Sequence, residues 1–207
     1  MGSRPALEKF FQIRAEKQKH ILGAAFAVFG KQGYRKASIA DIAKEAGTTK
    51  GMITYYFGSK KTLYLFLVDL IQSASVEAIE SQLTPDVTDF FEKLKKMVAI
   101  QVEAIKEYPA IISFANSTYY EKDPEVAGEL EQLITAGDAK ANQLLMEVTD
   151  FSWLKPGFDL QVFRQLILWV NNGFVEELCS PGGADKIDDL AAQFCKCLDM
   201  LKQVFYK

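Results

Sequence analysis

Histidine is almost missing from this 207-residue chain: His20 stands alone. A multi-histidine metal site is therefore excluded, and any Ser-His-Asp or Cys-His arrangement would have to recruit that one residue. Cysteine is scarce and poorly placed for chemistry. Cys179, Cys195 and Cys197 form an odd, C-terminal set without a CxxC pair, which fits reduced thiols better than a disulfide framework. The i, i+2 spacing of Cys195 and Cys197 sends them to different helix faces, against joint ligation or redox pairing. The apolar runs are broken by charge within a few residues, so no membrane-spanning helix is expected, and no charged-then-apolar leader opens the chain. Phosphate-cradling glycine motifs, internal repeats and low-complexity tracts are also missing. These absences predict a cytoplasmic protein with no metal, no cofactor and no catalytic residue set.

What is present is helical periodicity. Hydrophobic residues make up 49% of the chain, enough for a packed core, and they recur at three- and four-residue spacing without the alternation of a strand. The fold class expected is all-α. Ala15 to Gly30 carries Ile21, Leu22, Ala25, Phe26 and Phe29 on one face, with Gly30 and Gly33 as its stop. Ser38 caps a short helix holding Ile39, Ile42 and Ala43 inward, with Asp41 at the capping-box position. After a turn at Gly47, Thr49 caps a second short helix, Lys50 to Phe57, with Ile53, Tyr56 and Phe57 inward. A long helix then runs from Lys60 to about Ser81. Thr84-Pro85-Asp86 stops the chain and restarts it at Asp86 toward Tyr108. Pro109 restarts it into Ala110 to Tyr120, and Pro124 opens a segment reaching about Asp150. The loop Phe151 to Gly157 is too apolar for a solvated connector and is expected to pack. Two final helices, Asp159 to Cys179 and Ala184 to Tyr206, flank Ser180-Pro181-Gly182-Gly183 as a hairpin.

Charge is distributed unevenly. Met1 to Val68 holds 12 Lys+Arg against 4 Asp+Glu, a net of +8, whereas the remainder holds 12 against 23, a net of -11. A basic third suits a phosphate-bearing partner that the acidic remainder would repel.

The two short helices joined through Gly47 follow the helix-turn-helix plan, in which the second helix enters the major groove. The outward face of Lys50 to Phe57 offers Thr48, Thr49, Lys50, Gly51, Met52, Thr54 and Tyr55. The threonines suit base edges or phosphates, Met52 a thymine methyl, and Gly51 a close backbone approach. Lys50, Tyr55 and Lys60 suit phosphates, as do Arg35, Lys36 and the hydroxyl of Ser38. The stretch Ile21 to Leu63 resembles the DNA-binding domain of the TetR family. The match rests on Phe29-Gly30-Lys31-Gln32-Gly33-Tyr34, on Ser38-Ile39-Ala40-Asp41-Ile42-Ala43, on Ala46-Gly47, and on Lys50-Gly51 before Tyr56-Phe57, with Lys60 and Leu63 completing it. Thr54 departs from the resemblance, standing where many members carry an aromatic residue that reaches the DNA backbone.

The resemblance implies about nine helices, a homodimer built on the last two, and a small-molecule pocket in the C-terminal part. The domains expected are a DNA-binding domain at 1–62, with the start of the linker helix 60–81, and an effector-binding and dimerisation domain at 63–207. The last two helices agree with a dimer. Ile187, Leu190, Ala191, Phe194, Leu198, Leu201 and Phe205 form one stripe, and Phe163, Leu166, Ile167, Val170, Phe174 and Leu178 another. Val162, Leu168, Trp169 and Val175 lie off the second stripe, so that helix needs two partners. Candidate pocket residues are Phe90, Met97, Gln101, Phe114, Asn116, Tyr119, Tyr120, Trp153, Trp169 and Asn172, any one of which ordinary core packing would also explain. The function expected is a regulator, read as a repressor that leaves pseudo-palindromic double-stranded operator DNA when a small-molecule effector binds. The alternatives are a helical enzyme or ligand-binding protein with an incidental basic third, and a DNA-organising dimer without a ligand.

Overall fold

The computed structural model describes residues 5–147, 149–180 and 182–207. Residues 1–4 of the expected first domain, and Pro181 of the expected hairpin turn, lie outside the described residues. The described residues form ten α-helices, one more than the resemblance implies. They are α1 (Pro5–Gln12), α2 (Ala15–Lys36), α3 (Ile39–Glu45), α4 (Lys50–Phe57), α5 (Lys60–Gln82), α6 (Phe90–Glu107), α7 (Ile111–Thr118), α8 (Ala127–Met146), α9 (Leu160–Cys179) and α10 (Ile187–Phe205). Two 3₁₀ turns, at Phe151–Trp153 and Ala184–Lys186, complete the list. The only extended pairing among the described residues is an isolated bridge between Leu154 and Tyr206.

The chain forms two compact units. The first comprises residues 1–73 and 108–136, the second residues 74–107 and 137–207. The first extends well past residue 62 because its core draws on later residues. Leu63, Tyr64, Leu67 and Val68 of α5, Phe114 of α7, and Val126 and Leu130 near α8 all join Ile21, Phe26, Phe29, Ile42, Ile53 and Phe57. Phe114 is fully buried, with its ring 5.4 Å from Phe26 and 5.4 Å from Tyr64. Such aromatic pairs contribute about 0.5–1.5 kcal/mol each beyond their buried area.

Gly30 does not stop α2: the helix runs to Lys36 and breaks only at Gly33, whose φ of 70° lies in the left-handed region that glycine tolerates. Gly30 answers a packing need instead. A Cβ there would stand 2.9 Å from Ser113 Oγ and 3.0 Å from the Phe114 backbone N, so glycine is what lets α7 lie against α2. α1 precedes the first helix expected from the sequence, and its Phe10 is fully buried. Pro5 at the first helical position and the Leu7, Phe10, Phe11 spacing were its local signals. One apolar expectation is overturned. α5 is long and apolar enough to cross a membrane by length and composition alone. Leu63, Tyr64, Leu67 and Val68 nevertheless lie buried in the first unit's core.

In the second unit, α6 begins at Phe90 rather than Asp86, because Asp89 is the residue that caps it. Its carboxylate accepts the N–H of Phe91 at 2.9 Å and of Glu92 at 3.0 Å. Lys93 is buried, and its ammonium donates to the carbonyls of Leu145 and Glu147 and to Thr149 Oγ1 at the end of α8. Burial pushes its pKa below the ordinary lysine value. The expected packing of the loop is seen only in part: Phe151 meets Phe90 at 5.8 Å and the Lys155 N–H reaches Phe205 O at 2.9 Å, but no residue of Phe151–Trp153 is buried and Trp153 is exposed. The last two helices meet through the stacked rings of Phe174 and Phe194, 4.4 Å apart.

Candidate nucleic-acid interface

Local chemistry builds the two short helices. Ser38 sits in extended backbone and accepts the Asp41 N–H at 3.1 Å, while its own O–H donates to the Asp41 carboxylate at 2.6 Å. Thr49, also extended, accepts the Met52 N–H at 3.2 Å. Between them Gly47 takes φ 62°, and the Thr48 N–H returns to Ala43 O at 2.9 Å, closing α3 and turning the chain. Gly58, at φ 74°, ends α4.

This frame sorts α4 by face. Ile53, Tyr56 and Phe57 are buried in the core, while Thr49, Lys50, Gly51, Thr54 and Tyr55 are exposed on the opposite side. Tyr55 is 53% exposed. Thr48 is half-buried, and Met52 is half-buried against the core, offering only part of its side chain to a partner. Arg35 and Lys36 are exposed at the end of α2.

Two predicted phosphate contacts are differently engaged. The Lys60 ammonium turns inward, donating to the carbonyls of Tyr34 at 3.0 Å, Ala37 at 3.3 Å and Arg35 at 3.5 Å, and lying 4.3 Å from the centre of the Tyr34 ring. It thereby satisfies the carbonyls left open where α2 ends and α3 begins. The hydroxyl of Ser38 is occupied by Asp41. Lys9 of α1, which lies outside the residues that the sequence singles out, has its ammonium 4.9 Å from the centre of the Tyr55 ring.

The candidate pocket residues are divided between the two units. Phe114, Asn116, Tyr119 and Tyr120 belong to the first unit, the other six to the second. Phe114 is core, whereas Tyr120 is 74% exposed and Tyr119 is exposed as well. In the second unit Phe90 is buried among Phe91, Phe151 and Phe163. Trp153, Trp169 and Asn172 face outward, and Trp153 edges an open surface bowl of about 820 Å³ with Asp89, Lys202 and Tyr206. Met97 and Gln101 are half-buried on α6. Gln101 Oε1 is buried and lacks a hydrogen-bond partner among the described residues. His20 is exposed. Burial raises the pKa of the Cys179 and Cys195 thiols, which keeps them poor nucleophiles.

Residues 21–66 match the family described as bacterial regulatory proteins, tetR family. The HTH-type transcriptional repressor NicS of Pseudomonas putida is 29% identical over 145 residues, which span 62% of this chain and 68% of NicS. A TetR family transcriptional regulator from Chloroflexus aurantiacus shares the fold with a TM-score of 0.63, at 20% identity, over 97% of this chain and 98% of its own. The transcriptional regulator FadR of Bacillus subtilis, solved in complex with stearoyl-CoA, does so with a TM-score of 0.59, at 20% identity, over 88% and 96%. Residues 21–66, in which Ser38 and Thr49 cap two short helices around Gly47 and the polar face of α4 turns outward, are thus similar to the tetR family of bacterial regulatory proteins.

Proposed function

We propose that the protein is a homodimeric repressor that acts in the cytoplasm on a pseudo-palindromic operator and is released by a small-molecule effector. The observation that carries this is the face of α4, where Thr49, Lys50, Gly51, Thr54 and Tyr55 are exposed together on a helix anchored by Ile53, Tyr56 and Phe57. Two copies would enter successive major grooves about 34 Å apart. Lys50, Arg35 and Lys36 would contact phosphates, and Thr49 and Thr54 base edges. The DNA-binding role is assigned to residues 1–62 and the effector and dimer roles to 63–207.

Dimerisation through α9 and α10 is supported by large apolar side chains left exposed on both. Trp169 is 65% exposed, and Val162, Leu168, Met200 and Val204 lie more than half exposed with it. The effector site is supported best at Gln101, whose orphaned buried oxygen would be satisfied by a ligand donor. α5 runs unbroken from Lys60 to Gln82 and is a direct covalent path by which effector binding would alter the spacing of the heads.

The test is an anisotropy titration of duplex DNA, including the gene's own upstream region, at several salt concentrations. Sub-micromolar binding with a steep salt slope supports the regulator reading. Absence of such binding to any fragment overturns it in favour of a helical ligand-binding protein.

A further inference from the structure

The helix that precedes the reading head is part of it. Phe10 of α1 is fully buried, with its ring 4.9 Å from Phe57, 5.8 Å from Tyr56 and 6.2 Å from Phe66. Tyr56 and Phe57 are the inward residues of α4, so α1 rests on the same helix that presents the exposed face. Its C-terminal end is also tied down: Gln18 Nε2 donates to the carbonyls of Phe11 at 3.1 Å and Ile13 at 2.8 Å. A helix held at both places has little freedom to swing away.

The docking puts a cation beside the outward face of α4. Lys9, in the last turn of α1, carries its ammonium 4.9 Å from the centre of the exposed Tyr55 ring. Among the described residues it makes no salt bridge, so its charge is not neutralised by a carboxylate. An ammonium over a phenol ring and that ring's hydroxyl are two donors brought together on an exposed, basic surface. They match one phosphate group, which takes both a charge and a hydrogen bond.

Resting on the reading of α4 as the recognition helix, we propose that α1 extends the DNA interface and that Lys9 and Tyr55 together hold one backbone phosphate. A surface that takes duplex DNA fits better than one that takes an acidic protein, because Tyr55 shares the exposed face of α4 with Lys50 and Thr54, and residues 1–68 carry the chain's excess of Lys and Arg.

The probe is a duplex selected from a random pool by the wild-type full chain, with salt-dependent titrations of Lys9→Ala, Lys9→Arg, Tyr55→Phe and the double variant K9A/Y55F. Lys9→Ala is expected to weaken binding about 3- to 10-fold and to lower the salt slope by about one per reading head, with Lys9→Arg restoring most of both. Tyr55→Phe keeps the ring and loses the hydroxyl, so affinity falls while the slope stays. The double variant is expected to lose less than the product of the single losses, as partners sharing a phosphate do. Lys9→Ala with wild-type affinity and slope overturns the proposal and leaves the regulator reading standing. Losses that simply multiply overturn the shared phosphate. A wild-type chain that selects no duplex overturns the regulator reading and this proposal with it. Lys9 is exposed, so unchanged thermal unfolding of Lys9→Ala is the accompanying control.

Discussion

The carboxylate of Glu121 accepts the backbone N–H of Tyr34 at 2.9 Å, across 87 residues of sequence. Its other oxygen accepts the N–H groups of Lys122 at 3.0 Å and Asp123 at 2.9 Å. One side chain therefore closes the turn after α7 and secures the end of α2, immediately ahead of the helix-turn-helix. Lys60 holds the adjacent carbonyls from the other side. The end of α2 is thus gripped by a negative group on its donors and a positive group on its acceptors.

Glu121→Ala removes the acceptor of a backbone donor. It is expected to cost about 1–3 kcal/mol of unfolding free energy, and Glu121→Gln, which retains an acceptor, clearly less. Urea unfolding of the two variants checks the difference. Equal losses would mean that the Tyr34 N–H finds another partner.

Gly30→Ala tests the contact between α2 and α7. The added methyl would lie too close to the Ser113 hydroxyl and the Phe114 backbone. Overpacking of this kind costs typically about 1–3 kcal/mol, outweighing alanine's better helix propensity. Ser113→Ala in the same chain is expected to relieve the loss only in part, since backbone cannot move aside as a hydroxyl can. A thermal midpoint unchanged by Gly30→Ala would contradict the close approach.

Lys50 and Lys60 separate surface from scaffold. Lys50→Ala is expected to weaken operator binding about tenfold with unchanged thermal stability, because Lys50 is exposed. Lys60→Met leaves the carbonyls of Tyr34 and Ala37 without their donor and is expected to lower stability by about 1–3 kcal/mol. DNA affinity would fall with it as α3 loses its anchor. Parallel DNA titration and denaturation of both variants distinguish the roles.

Alkaline pH tests the buried tyrosines. Burial is the main cause that raises the pKa values of Tyr34 and Tyr64 above the usual 10.0, with nearby carboxylates adding to it. The folded state therefore holds these protons longer than the unfolded chain does. Their contribution is fully present below pH 10 and is lost as pH climbs above it. Tyr64 Oη has no hydrogen-bond partner among the described residues, so Tyr64→Phe is expected to leave stability near neutral pH unchanged or slightly higher, and to flatten its decline above pH 10. An unaltered alkaline slope would place the titration elsewhere.

The helix-turn-helix was legible in the sequence because its determinants are local. Ser38 and Thr49 cap their helices within three residues, Gly47 and Gly58 supply left-handed turns, and Ile42, Ile53 and Phe57 mark the inward face by spacing alone. The double-faced character of α9 was legible for the same reason: Phe163, Ile167 and Phe174 are buried, while Val162, Leu168 and Trp169 are exposed. Spacing could not say which distant groups would meet. Lys60 carries the same charge whether it faces solvent or three carbonyls 23 to 26 residues away. Phe114 and Trp153 look alike as aromatics, yet one fills the first unit's core and the other lies exposed in the second. Helix periods and caps are set by neighbours in the chain. The partners of a buried ring, an ammonium or a lone glycine such as Gly30 are set only when helices far apart in sequence come together.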